Sequence, residues 1–210
     1  MTNILTDKLP ESVIIDGLKY TVNWDFKTML RINIILNSES DDIAEQCLGL
    51  FYGTIPVNIE EAADKLIWFY HCGEIAEDKT KEREEKKEDE KTHEVYKPPV
   101  YSFEHDSSLI YAAFYEQYGI DLSETNMHWW KFKSLFDALG GNTLFAEVRK
   151  IRAIEIDANM SKAQQKYYRE MKKIYALPLP ESEQRMIDEI TDALQNGGNV
   201  AEVMSRYEKG

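Results

Sequence analysis

His128-Trp129-Trp130-Lys131-Phe132-Lys133-Ser134-Leu135-Phe136-Asp137-Ala138-Leu139 is the stretch whose reading decides the fold. At about 100° per residue, Trp129, Phe132, Leu135, Phe136 and Leu139 share one helix face. A stripe that wide predicts the seam of a helical core. Trp130 falls off it, among Lys133, Ser134 and Asp137. Two readings are open for it. Either a second helix covers the indole, as is usual for Trp, or it is an anchor for another protein, since Trp is enriched at interface hot spots.

Working outward, the bulk properties narrow the function classes. A chain of 210 residues can build one ordinary core or two small ones. Its formal net charge of -13 argues against direct nucleic-acid binding, which needs a basic surface. The two cysteines, Cys47 and Cys72, form no CxxC pair, so reduced thiols in a cytosolic protein are expected. Residues 1–7 lack a basic region followed by an apolar one, so no signal peptide is expected. The apolar run Leu66-Ile67-Trp68-Phe69-Tyr70 is far too short to span a bilayer.

Upstream, residues 13–22 read as a β-hairpin, with Asp16-Gly17 supplying the positive φ angles of a type I′ turn. Three helices should follow. The first is capped by Asp25 and runs to about Asn37. The second has Ile43, Cys47, Leu48 and Phe51 inward and stops at Gly53. The third opens with Asn58 and Glu61 at capping-box spacing and buries Ala63, Leu66, Ile67 and Tyr70. His71-Cys72 at its end reads as a capping histidine beside a small core thiol rather than a catalytic pair.

From Glu77 to Lys91 every residue but Thr80 is charged. Of the pairs four apart, four are opposite in charge and six are alike, which disfavours a helix. With no apolar surface to bury, the segment reads as a solvated linker closed by Pro98-Pro99.

Beyond it, the helix from about Asp106 to Tyr118 is apolar nearly all round, so it should be the central helix of a second module, ended by Gly119. The tryptophan helix should end at Gly140-Gly141. Another helix begins near Asn142-Thr143 with Leu144, Val148, Ile151 and Ile154 inward. Ser161 and Gln164 form a second capping-box spacing, opening a helix that partly buries Tyr167, Tyr168, Met171, Ile174 and Tyr175. Between Arg149 and Lys173, eight basic residues face only Glu155, Asp157 and Glu170. This is either a solvated helix face or a patch for an acidic partner, including another copy of this chain. A last helix, Glu181 to Gln195, precedes Gly197-Gly198 and a frayed tail.

The expected fold is therefore mainly α, with helical modules and a small N-terminal β-hairpin. It divides into the hairpin and its helices (1–73), a charged linker (74–100), an aromatic-rich helical module (101–178), and a C-terminal helix and tail (179–210). The candidate partner-binding residues are Trp130 with the nearby Met127, and Lys166, Arg169 and Lys173 on the basic face.

Phosphate-loop, dinucleotide, zinc-protease and nucleophile-elbow patterns do not occur. His71, His93, His105 and His128 are scattered, without the spacing of a metal face. Glu104-His105-Asp106 reads as acidic capping at a helix start. No catalytic residue, cofactor or metal is expected, and the chain does not read as an enzyme.

Residues 101–178 carry a resemblance. Phe103-Glu104-His105-Asp106, Ile110-Tyr111-Ala112-Ala113-Phe114, Tyr118-Gly119-Ile120-Asp121-Leu122, His128-Trp129-Trp130-Lys131-Phe132 and Lys172-Lys173-Ile174-Tyr175-Ala176-Leu177-Pro178 occur in that order. In this the chain resembles the gene-product-fifteen family of long-tailed phages and prophages of Gram-positive bacteria, with residues 11–72 resembling it more loosely. The resemblance implies a tail-assembly chaperone in the host bacterial cytoplasm. Its partners would be the tape-measure protein and the major tail protein, with no nucleic acid and no membrane engaged. It carries over no catalytic or binding residues. Two other classes stay open: a virion component for tail completion or connection, and an acidic DNA mimic that blocks host defence.

Overall fold

The computed structural model describes residues 2–74 and 99–207, so the charged linker expected over 77–91 lies outside the described residues. Two strands and nine helices occur among them. Strands β1 (Ser12–Ile15) and β2 (Leu18–Thr21) pair antiparallel, with Ile15 opposite Leu18. The turn between them has φ 49° at Asp16 and 75° at Gly17, the double positive pair that lets a two-residue turn follow the strand twist. Helices α1 (Phe26–Leu36), α2 (Ile43–Tyr52) and α3 (Ile59–Tyr70) follow. After the undescribed segment come α4 (Ser107–Tyr118), α5 (Trp129–Asp137), α6 (Leu144–Ala153), α7 (Lys162–Ile174), α8 (Glu181–Asn196) and α9 (Val200–Tyr207). The protein is mainly α with one small hairpin, as the sequence predicts.

Local chemistry sets most of the boundaries. The Asp25 carboxylate accepts from the Thr28 N–H at 3.0 Å and opens α1. The Asn58 side chain accepts from the Glu61 N–H at 3.1 Å and opens α3. Glu61 does not close the expected box. Its carboxylate accepts from the Asp16 N–H at 3.0 Å, and so ties the hairpin turn to α3. At α7 both halves of the Ser161–Gln164 box form. Helix α5 ends earlier than the glycines suggest, at Ala138. The expected frayed tail contains α9, which packs back on α8 through Ala193 and Val203.

The two helical segments expected on either side of the linker are not separate packing units. One apolar cluster runs from Val13 of β1 to Phe145 of α6. Phe132 of α5 stacks on Phe26 of α1 at 4.9 Å and on Phe114 of α4 at 5.1 Å. The Trp129 indole Nε1–H donates across sequence to the Tyr70 carbonyl. The reason is area: neither half alone can cover the broad aromatic face of α5. The central helix is thus α5, with Trp129, Trp130, Phe132 and Phe136 all buried. The expectation of a central α4 fails, because Tyr111 and Tyr115 on its far side are exposed.

Two inward faces are also turned relative to expectation. Helix α3 buries Ala62, Leu66 and Phe69, while Ile67 is exposed. Helix α6 buries Phe145, while Leu144 is exposed. In both, a phenylalanine one or two positions away takes the inward place, since an aromatic ring removes more apolar area from water.

Candidate partner-binding surface

The C-terminus of α3 and the N-terminus of α5 close on each other. The last four carbonyls of a helix lack partners within it, and here each of those of α3 finds one. Ile67 O accepts from His71 N–H, and Trp68 O from Gly73 N–H at 2.9 Å. Phe69 O accepts from Cys72 N–H and also from Trp130 Nε1–H at 2.8 Å. Tyr70 O accepts from Trp129 Nε1–H at 2.9 Å. The adjacent tryptophans therefore cap one helix from another, each through its own indole.

This corrects the reading of Trp130 as an exposed anchor. Its side chain is 3% exposed, edge-on to Trp68 at 5.6 Å and covered by the turn at Gly73. Gly73 has φ 85°, and a Cβ there would meet Trp130 Cη2 at 3.0 Å. Periodicity places Trp130 off the α5 stripe correctly. What covers it is α3, which sits 60 residues earlier in the chain. Met127 is half-buried against the same core, and its carbonyl accepts from the Phe26 N–H.

His128 caps α5. Its Nδ1 accepts from the Trp130 N–H at 3.1 Å, which leaves Nε2–H to donate to the Pro10 carbonyl at 3.0 Å. Its ring stacks on Trp24 at 5.6 Å. Burial lowers its pKa below 6.5, and the contact with Pro10 offsets this only in part. The imidazole is therefore neutral in the fold. Cys72, with φ 57°, is half-buried beside this junction, and burial pushes its thiol up to about 11, an unreactive state at neutral pH.

The basic run of residues 149–173 does not form one surface. The Arg152 side chain is turned inward, 10% exposed, and pairs with Asp106. The Arg149 guanidinium lies 5.4 Å over the Tyr101 ring. Lys172 donates to the Arg152 carbonyl at 2.7 Å. Lys166, Arg169 and Lys173 are exposed together on the outer face of α7. The five candidate residues are thus divided: Trp130 and Met127 belong to the core, and only the three on α7 face outward.

Exposed apolar side chains are found elsewhere. Ile59 and Ile67 stand two turns apart on α3, 51% and 49% exposed. Tyr111 and Tyr115 stand one turn apart on α4, with ring centroids 6.4 Å apart. The sequence offers one signal for the second pair, the i,i+4 spacing of two residues with a polar tip. Ile59 and Ile67 carry no such signal.

Among the described residues, no cluster of three or more His, Cys, Asp or Glu is placed to hold a metal ion, and no helix is long and apolar enough to cross a membrane. No curated protein and no solved structure matches the chain. Residues 5–177, from the segment before the hairpin to just past α7, match the family described as Bacteriophage Gp15 protein. The chain belongs to that family and is a phage-associated structural or assembly protein.

Proposed function

We propose that this chain is a non-enzymatic tail-assembly chaperone, which holds the phage tape-measure protein soluble in the host cytoplasm until tail-tube subunits replace it. The observation that carries this reading is the outward apolar pairs, Ile59 with Ile67 and Tyr111 with Tyr115, on a chain of net charge -13. A long helical rod awaiting its tube exposes apolar stripes that aggregate. A soluble acidic protein with apolar helix faces can cover such stripes and keep the complex dispersed. Tyrosine rings suit the task, because they contribute large, rigid contact area at little cost in conformational entropy. Affinity per contact should be modest, so that tube subunits can displace it, while many copies along one rod still give firm coating.

Co-expression with the tape-measure protein tests this. The soluble yield of the tape measure should rise, and a complex with several copies per rod should elute. The double variant Tyr111→Ser/Tyr115→Ser should fold normally and lose most of that effect. An insoluble tape measure, with this protein present instead in finished particles, would replace the chaperone by a virion component.

A further inference from the structure

Helix α7 is thirteen residues long and buries none of them. Two polar links join its end to the body: Arg152 Nε–H donates to the Tyr175 carbonyl at 2.6 Å, and Lys172 donates to the Arg152 carbonyl. Lys162, Lys166, Arg169 and Lys173 fall within one narrow arc of its outer side. Tyr167 and Ile174, 48% and 66% exposed, lie further round the helix, beyond Ala163 and Glu170. The helix has five basic residues against Glu170 alone. Its unpartnered surface is cationic along that arc and apolar beyond it.

The same chain carries its complement. Residues 181–207 hold six acidic residues against Arg185 and Arg206. Helices α8 and α9 border an open cleft of 530 Å³ with Asp188, Glu189, Asp192 and Glu202 along it against Arg206, and the buried Ala193 and Val203 contributing to its lining. Within one chain the two features are engaged separately. Lys166 pairs with Glu170 on its own helix, and Glu189 of α8 pairs with Arg206 of α9. Helix α8 is directed to the loop before α2, where the Ser182 N–H and Arg185 meet the Glu39 carboxylate.

We propose that the outer face of α7 docks in the α8–α9 cleft of a second copy of this chain. Opposite charge at matching faces selects the partner and speeds encounter, and the apolar flank of α7 supplies area that charge alone does not. Each copy offers both faces, so the contact closes reciprocally as a two-fold dimer or runs head-to-tail. This inference goes beyond tape-measure binding and does not depend on it.

Sedimentation of the purified full-length protein, without any tape measure, tests it. The protein should self-associate at low ionic strength and dissociate near 1 M salt, where the screening length is about 3 Å. Lys166→Glu/Arg169→Glu and Asp188→Lys/Asp192→Lys should each weaken self-association by roughly tenfold or more, with unchanged thermal unfolding. Mixed in equal amounts, the two variants should associate again, because each acidic face then meets a basic one. A wild-type protein that stays monomeric at low salt overturns the proposal. So does a mixture that fails to restore association.

Discussion

The Arg152 guanidinium grips the Asp106 carboxylate with two bonds, Nη1 to Oδ2 at 2.6 Å and Nη2 to Oδ1 at 2.9 Å, across 46 residues of chain. The pair is nearly closed to water, 10% and 4% exposed. Burial by itself would raise the Asp106 pKa, but Arg152 and the Ser102 N–H outweigh it and hold the group below 3.8. Arg152 also donates to the Val100 and Tyr175 carbonyls, so one side chain joins the chain before α4 to the end of α7. Asp106 is thus an ion-pair partner and makes no side-chain cap bond at its own helix start.

Arg152→Met should cost about 3–5 kcal/mol, because it leaves a buried carboxylate without its cation. Adding Asp106→Leu should recover much of that loss. About 1–3 kcal/mol should remain, since the Val100 and Tyr175 carbonyls still lose their donor. Denaturant unfolding of the three variants measures the cycle. If the double variant is no more stable than Arg152→Met, the carboxylate is not the source of the loss.

Trp129→Ala and Trp130→Ala should destabilise to a similar degree, each by about 3–5 kcal/mol, as large-to-small core changes do. Trp130→Phe should cost less, because the Phe69 carbonyl keeps the Cys72 N–H as a donor. Chemical denaturation checks this. A Trp130→Ala protein as stable as wild type would place the indole outside the core.

Gly73→Ala should lose about 1–2 kcal/mol from its left-handed backbone alone, and more from the 3.0 Å approach to Trp130. Gly119→Ala, with left-handed backbone (φ 65°, ψ 20°) but open space around it, should lose only the backbone part. Comparing their unfolding midpoints separates strain from the clash.

His128 makes stability depend on pH. Its folded pKa is depressed below 6.5, so the unfolded chain binds the proton more readily. Its contribution is complete above about pH 6.5 and declines as pH falls through the interval down to the folded pKa. Protonating Nδ1 also removes the acceptor for the Trp130 N–H. His128→Asn keeps a capping acceptor and should flatten the stability profile in that interval. An unchanged slope would assign the pH dependence to another group.

What the sequence by itself determined is what four or five consecutive residues can settle. Asp16-Gly17 sets the hairpin turn, Asp25 and Asn58 open their helices, Ser161 with Gln164 forms a complete box, and Gly53 and Gly119 stop α2 and α4. These bonds close within one turn, so they form unless a distant group competes for the same side chain, as Asp16 does for Glu61 and Arg152 for Asp106. The stripe of α5 was legible for the same reason. Tertiary structure alone decided what that stripe meets. Phe26, Phe69 and Phe114 come from three other helices and converge on α5. Whether Trp130 is covered, whether Phe69 or Ile67 turns inward, and whether Arg152 joins a surface patch or a buried pair depend on groups 46 to 61 residues away. Periodicity gives each helix an apolar side but not the neighbour that claims it, because burial rewards total area removed from water and is indifferent to sequence distance.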